Sequence, residues 1–438
     1  MRTELHINRA ALYRQRRMAK IVPSGTGSDV AVSKKQQKNI DLFFYGVLTN
    51  ILSYITGITN NKYITPATCQ GIQAIALAMV IFASVNLIKY KFENNYFKSV
   101  FTVFLIYLIT IVIREPNFDY NAIKNLLFDP GLGIVPYFVP LVVLFPRSMV
   151  LYKKVFKTLV IFGTLFITYI IIYFDIVHDN NWLNLTSQAY IENFFGAFGI
   201  PVGFLALTFL YHSKKIRKFA FAVLVVALYF LIFRARRGSM FICLTTLTGA
   251  GMIYLVHTKR TVLVITLSVI MVLFGTVFVS DIKLPSMFDF LMSRKDEDTR
   301  TGMEVYMKAD MTRNDWIIGK GINGKYVCPF ILDASDLSGK RGIIETGYLQ
   351  IILKGGLMEL ILFGLILLPA AYLGLFKSSN VLSKGAGMYL LLCAIYLYPT
   401  IVIGYGMYYI VIWIAVGICY SGRIRKMSDS TIQKYLQE

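Results

Sequence analysis

Residues 214–260 read KKIRKFAFAVLVVALYFLIFRARRGSMFICLTTLTGAGMIYLVHTKR. Lys214, Lys215, Arg217 and Lys218 lead into fifteen residues, 219–233, that carry no charge. A basic turn follows, Phe233-Arg234-Ala235-Arg236-Arg237-Gly238-Ser239, and a second uncharged run then closes on Lys259 and Arg260. Runs of this kind approach the ~17–20 residues a helix needs to cross roughly 30 Å of hydrocarbon. Within lipid, a helix satisfies its backbone donors and acceptors inside its own segment. The pair therefore reads as a transmembrane helical hairpin, with spans near 217–233 and 238–256.

The same pattern recurs along the chain. Of 438 residues, 56% are hydrophobic, 14% aromatic and only 16% charged, with a mean hydropathy of +0.59. A soluble domain of this length carries more charge. Apolar runs against polar breaks predict further spans near 42–58, 70–88, 99–113, 131–146, 156–175, 191–211, 261–280, 347–376, 385–401 and 405–420. The run at 347–376 is long enough to include a short lead-in helix broken at Gly355-Gly356 before the span proper. The expected fold class is all-α, a polytopic transmembrane helical bundle of about twelve spans. Its organisation is a basic tail (1–40), nine spans (41–280), one large loop with short helices (281–345), three spans (346–420) and a second tail (421–438). No cleavable signal pattern is present, so the first helix is expected to insert uncleaved.

The formal net charge is +21, from 45 Lys and Arg against 24 Asp and Glu. Well over half of the basic residues fall in alternate inter-span segments, among them the N-terminal tail, Lys153-Lys154 and Lys214–Lys218. The positive-inside rule puts those segments and both termini in the cytoplasm. The N-terminal tail carries nine Lys and Arg, enough to bind anionic lipid head groups, so membrane lipids are expected partners. Nucleic acid is excluded, because the basic residues are scattered among loops in a topological pattern. Five cysteines form no framework, although Cys69 and Cys328 both fall outside the predicted spans. No Cys/His cluster has metal-ligand spacing, so neither a metal nor a cofactor is expected. There is no convincing internal repeat.

With the sides set, the 233–239 turn lies outside, where short loops are poor in Arg. Arginines kept there oppose insertion, which points to a role: guanidinium forks match phosphate oxygens and stay charged at any relevant pH. The plainer account is that they snorkel or pair with loop carboxylates. The long loop holds ten basic and eleven acidic residues, a mixed and structured surface. Residues 284–291 read as a short interfacial helix. Asp298 or Thr299 would cap a helix through about Ala309, with Met303 and Met307 on one face and an Arg300–Glu304 pair. Arg313 and Trp316 follow. Gly319-Lys320-Gly321-Ile322-Asn323-Gly324 fits G-x-G-x-x-G, but no strand precedes it, so it is a glycine turn. Asp296-Glu297-Asp298 contains D-x-D and reads as a solvated charge run.

Glu345 stands where the loop re-enters the membrane, ahead of Thr346-Gly347-Tyr348-Leu349. A carboxylate at that boundary is expected to be partly desolvated, which suits a general base. The plainer account is a carboxylate favoured by a helix N-terminus. Glu359 lies deeper in the span, either functional or paired across the bundle.

The order and side of these residues resemble the O-antigen polymerase and O-antigen ligase superfamily (Wzy/WaaL-like), membrane glycosyltransferases of bacterial envelope polysaccharides with a GT-C-like bundle. Its members place an Arg-Gly pair at the opening of a span, matched by Arg237-Gly238-Ser239. They carry an Arg before a W/F-x-x-G-x-G turn, matched by Arg300, Trp316, Gly319 and Gly321. After the loop comes H-N-x-φ-L-x-x-L-x-x-x-G, matched by the stretch from Glu345 to Gly356. The resemblance covers roughly 230–376 in residues and the whole chain in topology. The His that ligases place at the loop exit is Glu345 here, which moves the expectation from ligase toward repeat-unit polymerase.

The resemblance implies a bacterial inner-membrane enzyme with a periplasmic site. Its substrate would be an undecaprenyl-pyrophosphate-linked oligosaccharide, the repeat unit of an O-antigen, capsule or exopolysaccharide. Arg237 and Arg300 would neutralise the departing pyrophosphate, assisted by Arg234, Arg236 and Arg313, with Trp316 and Tyr348 binding substrate. Glu345 would orient or deprotonate the acceptor hydroxyl. A chain-length regulator protein is a further implied partner. The alternatives are ligation onto lipid A core, a flippase or other transporter of lipid-linked oligosaccharide, and a structural or assembly subunit. A 65-residue outer loop with arginines at its margins argues against transport.

Overall fold

The computed structural model describes residues 33–59, 64–114, 119–179, 184–258, 300–329 and 339–437. The basic tail up to residue 32, the span expected at 261–280, the interfacial helix at 284–291 and the 296–298 charge run lie outside the described residues.

Polar caps set where the spans begin. Ser33 and Gln36 form a reciprocal capping box at the start of α1 (Lys34–Ile58), so residues 34–40, expected in the tail, are helical. Thr65 with Pro66 opens α2 (Pro66–Leu87), and Asn94 opens α3 (Asn95–Ile113). A short helix, α4 (Tyr120–Phe128), follows. The stretch 131–146, expected as a span, is instead two 3₁₀ turns, Val135–Tyr137 and Val139–Leu144. Pro136 and Pro140 each sit in the first turn of one of them, where a missing amide costs nothing; a continuous α-helix would put Pro140 in its interior.

Ser148 caps α5 (Met149–Ile172), and one turn, α6 (Phe174–Val177), follows it. Helix α7 (Leu185–Phe194) runs through a π-turn at Phe195–Gly199 into α8 (Ile200–Leu207). Pro201 lacks the amide that would continue the regular ladder there. Ser213 caps α9 (Lys214–Phe233), and α10 (Arg237–His257) returns. Beyond residue 300 come α11 (Thr301–Asp310) and α12 (Arg313–Ile318). A two-residue antiparallel pairing, Tyr326 with Arg341 and Val327 with Lys340, precedes α13 (Gly347–Phe376). The chain ends with α14 (Val381–Tyr396), α15 (Met407–Tyr420), α16 (Gly422–Lys426) and α17 (Asp429–Gln437).

Among the described residues, eight helices are long and apolar enough to cross a membrane: α1, α2, α3, α5, the α7–α8 rod, α9, α10 and α13. Val135–Leu144, α14 and α15 are shorter apolar segments packed among them. The chain is a multi-pass membrane helical bundle. Its axis is α15, apolar all round and buried at every position from Tyr409 to Tyr420. Trp413 stacks on Phe104 with centroids 5.7 Å apart, and Tyr420 on Phe97 at 4.1 Å. The outer faces carry long exposed apolar stripes, such as Ile75, Ile81, Phe82 and Val85 on α2 and Val103, Ile106, Ile109 and Ile113 on α3. Stripes of that extent need lipid as their solvent. All five cysteines are buried and free, Cys69 and Cys328 included.

The two ends of the bundle differ. At one end the Lys- and Arg-bearing connections meet, tied by Asn380 Nδ2 donating to Ile424 O at 2.7 Å and by Tyr211 donating to Asp429. At the other end lie the 234–237 turn, residues 300–329 and the lead-in to α13. That lead-in is broken as expected: Gly356 has φ +68° and ψ −175°, and helix resumes beyond it. A Cβ there would fall 2.5 Å from the Ile318 nitrogen. Gly356→Ala is therefore expected to cost on the order of 3 kcal/mol. Gly364→Ala, in open helical surroundings, should be neutral or gain up to about 1 kcal/mol. Thermal unfolding in detergent micelles compares the two, and equal behaviour would sink the account of the break.

Candidate functional site

The site rests on a backbone joint. Where α13 is interrupted, the carbonyls of Leu353 and Lys354 lose their intrahelical donors, and the glycine turn supplies replacements. Lys320 N donates to Leu353 O at 2.8 Å and Gly321 N to Lys354 O at 2.9 Å. The next amide, Ile322 N, donates to Ile111 O of α3 at 3.1 Å. Only glycine fits this approach. Gly319 (φ +74°) and Gly321 (φ +77°) are in the left-handed region, and a Cβ on Gly321 would lie 2.8 Å from Arg114 O. Lys354 threads the turn, its Nζ donating to Ile322 O at 3.0 Å and Gly324 O at 2.8 Å. Tyr107 of α3 donates to Gly355 O at 2.7 Å, and Arg114 Nη1 to Gly319 O at 3.3 Å. The glycine turn read from the sequence is this clasp.

Above the clasp, Met303, Met307, Met311, Tyr326, Cys328 and Ile344 pack on Leu349, Ile352 and Leu353 of the lead-in. Trp316 and Tyr348, expected to bind substrate, are half-buried against that cluster. The cluster fixes α11, and α11 fixes Arg300, which forms its N-cap.

Arg300 joins three separate segments. Its Nη2 donates to Pro399 O at 3.0 Å, and its Nε lies 3.8 Å from Glu345 Oε2. Gly238, next to Arg237, packs so closely that a Cβ there would meet Pro399 O at 3.1 Å and Arg300 Nη2 at 3.4 Å. The structure thus brings Gly238, Arg300 and Glu345 together, with Arg237 the neighbour of Gly238 in the chain. Glu345 stands exposed at the loop exit, its side chain 53% accessible. Beside it, buried Thr346 donates to Glu304 at 2.6 Å, and Glu304 also pairs with Lys308 at 3.5 Å. In place of the expected Arg300–Glu304 pair, Glu304 takes Thr346 across the loop and Lys308 one turn along its own helix.

The other arginines are placed differently. Arg234 is buried, with Nε on Val177 O at 3.0 Å and Nη2 on Ser187, so it locks α6 and α7 to the end of α9. Arg236 binds Gln188 at 3.1 Å and forms an ion pair with Glu192, both on α7. These two bonding sets face the α6–α7 connection, the carboxylate-pairing alternative in the case of Arg236. Arg237 is exposed at the first turn of α10, and Arg313 is exposed on α12.

Sequence reasoning missed three contributors. Pro399 supplies the carbonyl that orients Arg300; a proline inside an apolar run, followed by Gly404 and Gly406, is a signal of broken helix. Gln350 accepts from Ile344 N at 2.8 Å and so holds the loop exit. Arg341 lies beside Tyr326: burial pushes that hydroxyl up, the Arg341 guanidinium offsets part of the rise, and Glu345 adds to it. Glu359 sits beneath the break, 1% exposed, with Oε2 lacking a hydrogen-bond partner among the described residues. Among the described residues no group of His, Cys, Asp and Glu could hold a metal ion.

The Arg300–Glu345 pair is long and half-exposed, and such pairs contribute about 0–1 kcal/mol. A double-mutant cycle of Arg300→Ala and Glu345→Ala, read by thermal unfolding, should therefore give a coupling below about 1 kcal/mol. Larger coupling would make the pair structural. In comparisons with known proteins, the chain matches no family model, no curated protein and no solved structure.

Proposed function

We propose that this chain polymerises undecaprenyl-pyrophosphate-linked oligosaccharide repeat units at the periplasmic face of a bacterial inner membrane. One observation carries the reading: Arg300 stands between Glu345 and Gly238 and is aimed by Pro399 O, so residues far apart in sequence converge at one end of the bundle. The convergence includes the Arg-Gly, loop Arg and loop-exit positions on which the family resemblance rests. The basic connections collect at the opposite end, which supports cytoplasmic termini and an outward-facing site.

The chemistry follows from the charges. The acceptor hydroxyl oxygen attacks the anomeric carbon of the donor glycan. The bond from that carbon to the pyrophosphate oxygen breaks, and undecaprenyl pyrophosphate leaves. Arg300 and Arg237 stabilise the negative charge growing on that oxygen, an interaction stronger in the transition state than with the pyrophosphate of the bound donor. Glu345 takes the hydroxyl proton. Its ion pair with Arg300 is loose, so a pyrophosphate competes for the guanidinium at small cost. Trp316 and Tyr348 pack on the Met-lined cluster that holds α11 in place. Arg234 and Arg236 serve by holding the 234–237 turn.

The interrupted α13 also suits a transporter of lipid-linked oligosaccharide, because unwound helices line binding sites in such carriers. Here the freed carbonyls are taken by the glycine turn, which leaves the break a joint and favours polymerase.

The test is glycan length in a deletion strain complemented with single variants at matched protein level. Arg237→Ala, Arg300→Ala and Glu345→Gln are each expected to lower polymer output about 10²-fold. Long chains from all three would remove the proposed site. A deletion strain whose acceptor carries a single repeat unit supports polymerase, whereas an acceptor carrying nothing makes the chain a ligase.

A further inference from the structure

At the basic end, away from the Arg300 cluster, the α2–α3 connection, the end of the second 3₁₀ turn and the segment after α15 enclose a cavity of ≈ 250 Å³. Lys89, Lys91, Arg147 and Arg423 line it. Its one carboxylate is Glu93, which is already engaged: Arg147 Nη1 lies 3.3 Å from Oε1, and Ser421 Oγ donates to the same carboxylate at 3.0–3.1 Å. Arg147 is held by that pair with its side chain 15% exposed, so the charge faces the cavity from a fixed wall. The backbone fixes Lys89 as well, its amide donating to Leu144 O at 3.0 Å. Ser148 and Met149, the cap and first residue of the 24-residue α5, also border the space and bring a helix N-terminus to it. The remaining wall is mostly apolar, with Val143, Phe145, Pro146 and Met427 alongside Gln36 and Tyr435.

A solvated topological charge cluster needs neither a cavity nor an apolar wall. The combination of cations on one side and hydrocarbon on the other matches a molecule with a phosphate joined to an apolar body. We infer that this cavity holds the phosphate of an anionic phospholipid headgroup, with the start of the acyl region against Val143, Phe145 and Met427. Free inorganic phosphate shares the charge chemistry but has nothing to place on the apolar wall. The site is independent of the polymerase reading, because it concerns the opposite end of the bundle.

The experiment uses the full chain, purified in dodecylmaltoside, with unfolding temperature followed against added phosphatidylglycerol, phosphatidylcholine or inorganic phosphate. Phosphatidylglycerol is expected to raise the midpoint saturably, at concentrations where phosphatidylcholine does not. Lys91→Gln with Arg423→Gln, both exposed positions, should raise the half-saturating phosphatidylglycerol concentration about tenfold or more. Lys91→Arg with Arg423→Lys should restore it. Lys214→Gln with Lys215→Gln, basic residues at the same end that do not line the cavity, should change it less than about threefold. Equal losses in the cavity pair and this control would overturn the site in favour of a diffuse basic surface. Phosphatidylcholine as effective as phosphatidylglycerol would overturn headgroup recognition, and inorganic phosphate saturating at the same concentration would overturn the lipid as its source.

Discussion

A helix broken inside a membrane protein leaves carbonyls without donors, and neither lipid nor a dry core supplies them. In this chain the break at Gly355-Gly356 would orphan Leu353 and Lys354, and the amides of Lys320 and Gly321 answer that demand. The exchange requires two backbones to touch, so glycine stands at 319, 321 and 356, each with positive φ. Lys354 then closes the joint from the other side through Ile322 O and Gly324 O. A buried ammonium is tolerated there because two carbonyls replace water as its acceptors.

Much of the end that carries Arg300 follows from that joint. The clasp anchors α12 against α13, the methionine-rich cluster seats α11 on the lead-in, and α11 presents Arg300. Rigid elements hold a guanidinium more closely than a free loop does, which suits the charge stabilisation proposed for Arg300. Exposure of Glu345 fits this arrangement: the supporting groups are buried, while Glu345 stays open, as the proposed polymerase site requires.

Arg234, Arg236 and Arg237 show how neighbouring residues of one type diverge. The turn is tight, with Ala235 at φ 48°, so successive side chains leave in different directions. Arg234 points inward to carbonyls at the end of α6, Arg236 to carboxylate and amide on α7, and Arg237 opens α10. The first two set the geometry of the turn, and the third stands beside the glycine that touches Arg300.

The sequence by itself determined the membrane character, the position of most long helices, the break at Gly355-Gly356 and the glycine turn. These depend on run length and the backbone freedom of glycine, both local properties. The two 3₁₀ turns at 131–146 were obscured because hydropathy weighs apolar side chains and ignores the missing amides of Pro136 and Pro140. Only the tertiary structure decided which partner each long charged side chain takes. Arg300 reaches Pro399, Glu345 and the flank of Gly238 rather than Glu304 one turn away, because helix packing brings those groups within reach. A guanidinium on a flexible stem has many possible partners in sequence, and the choice belongs to whichever helices the bundle makes neighbours.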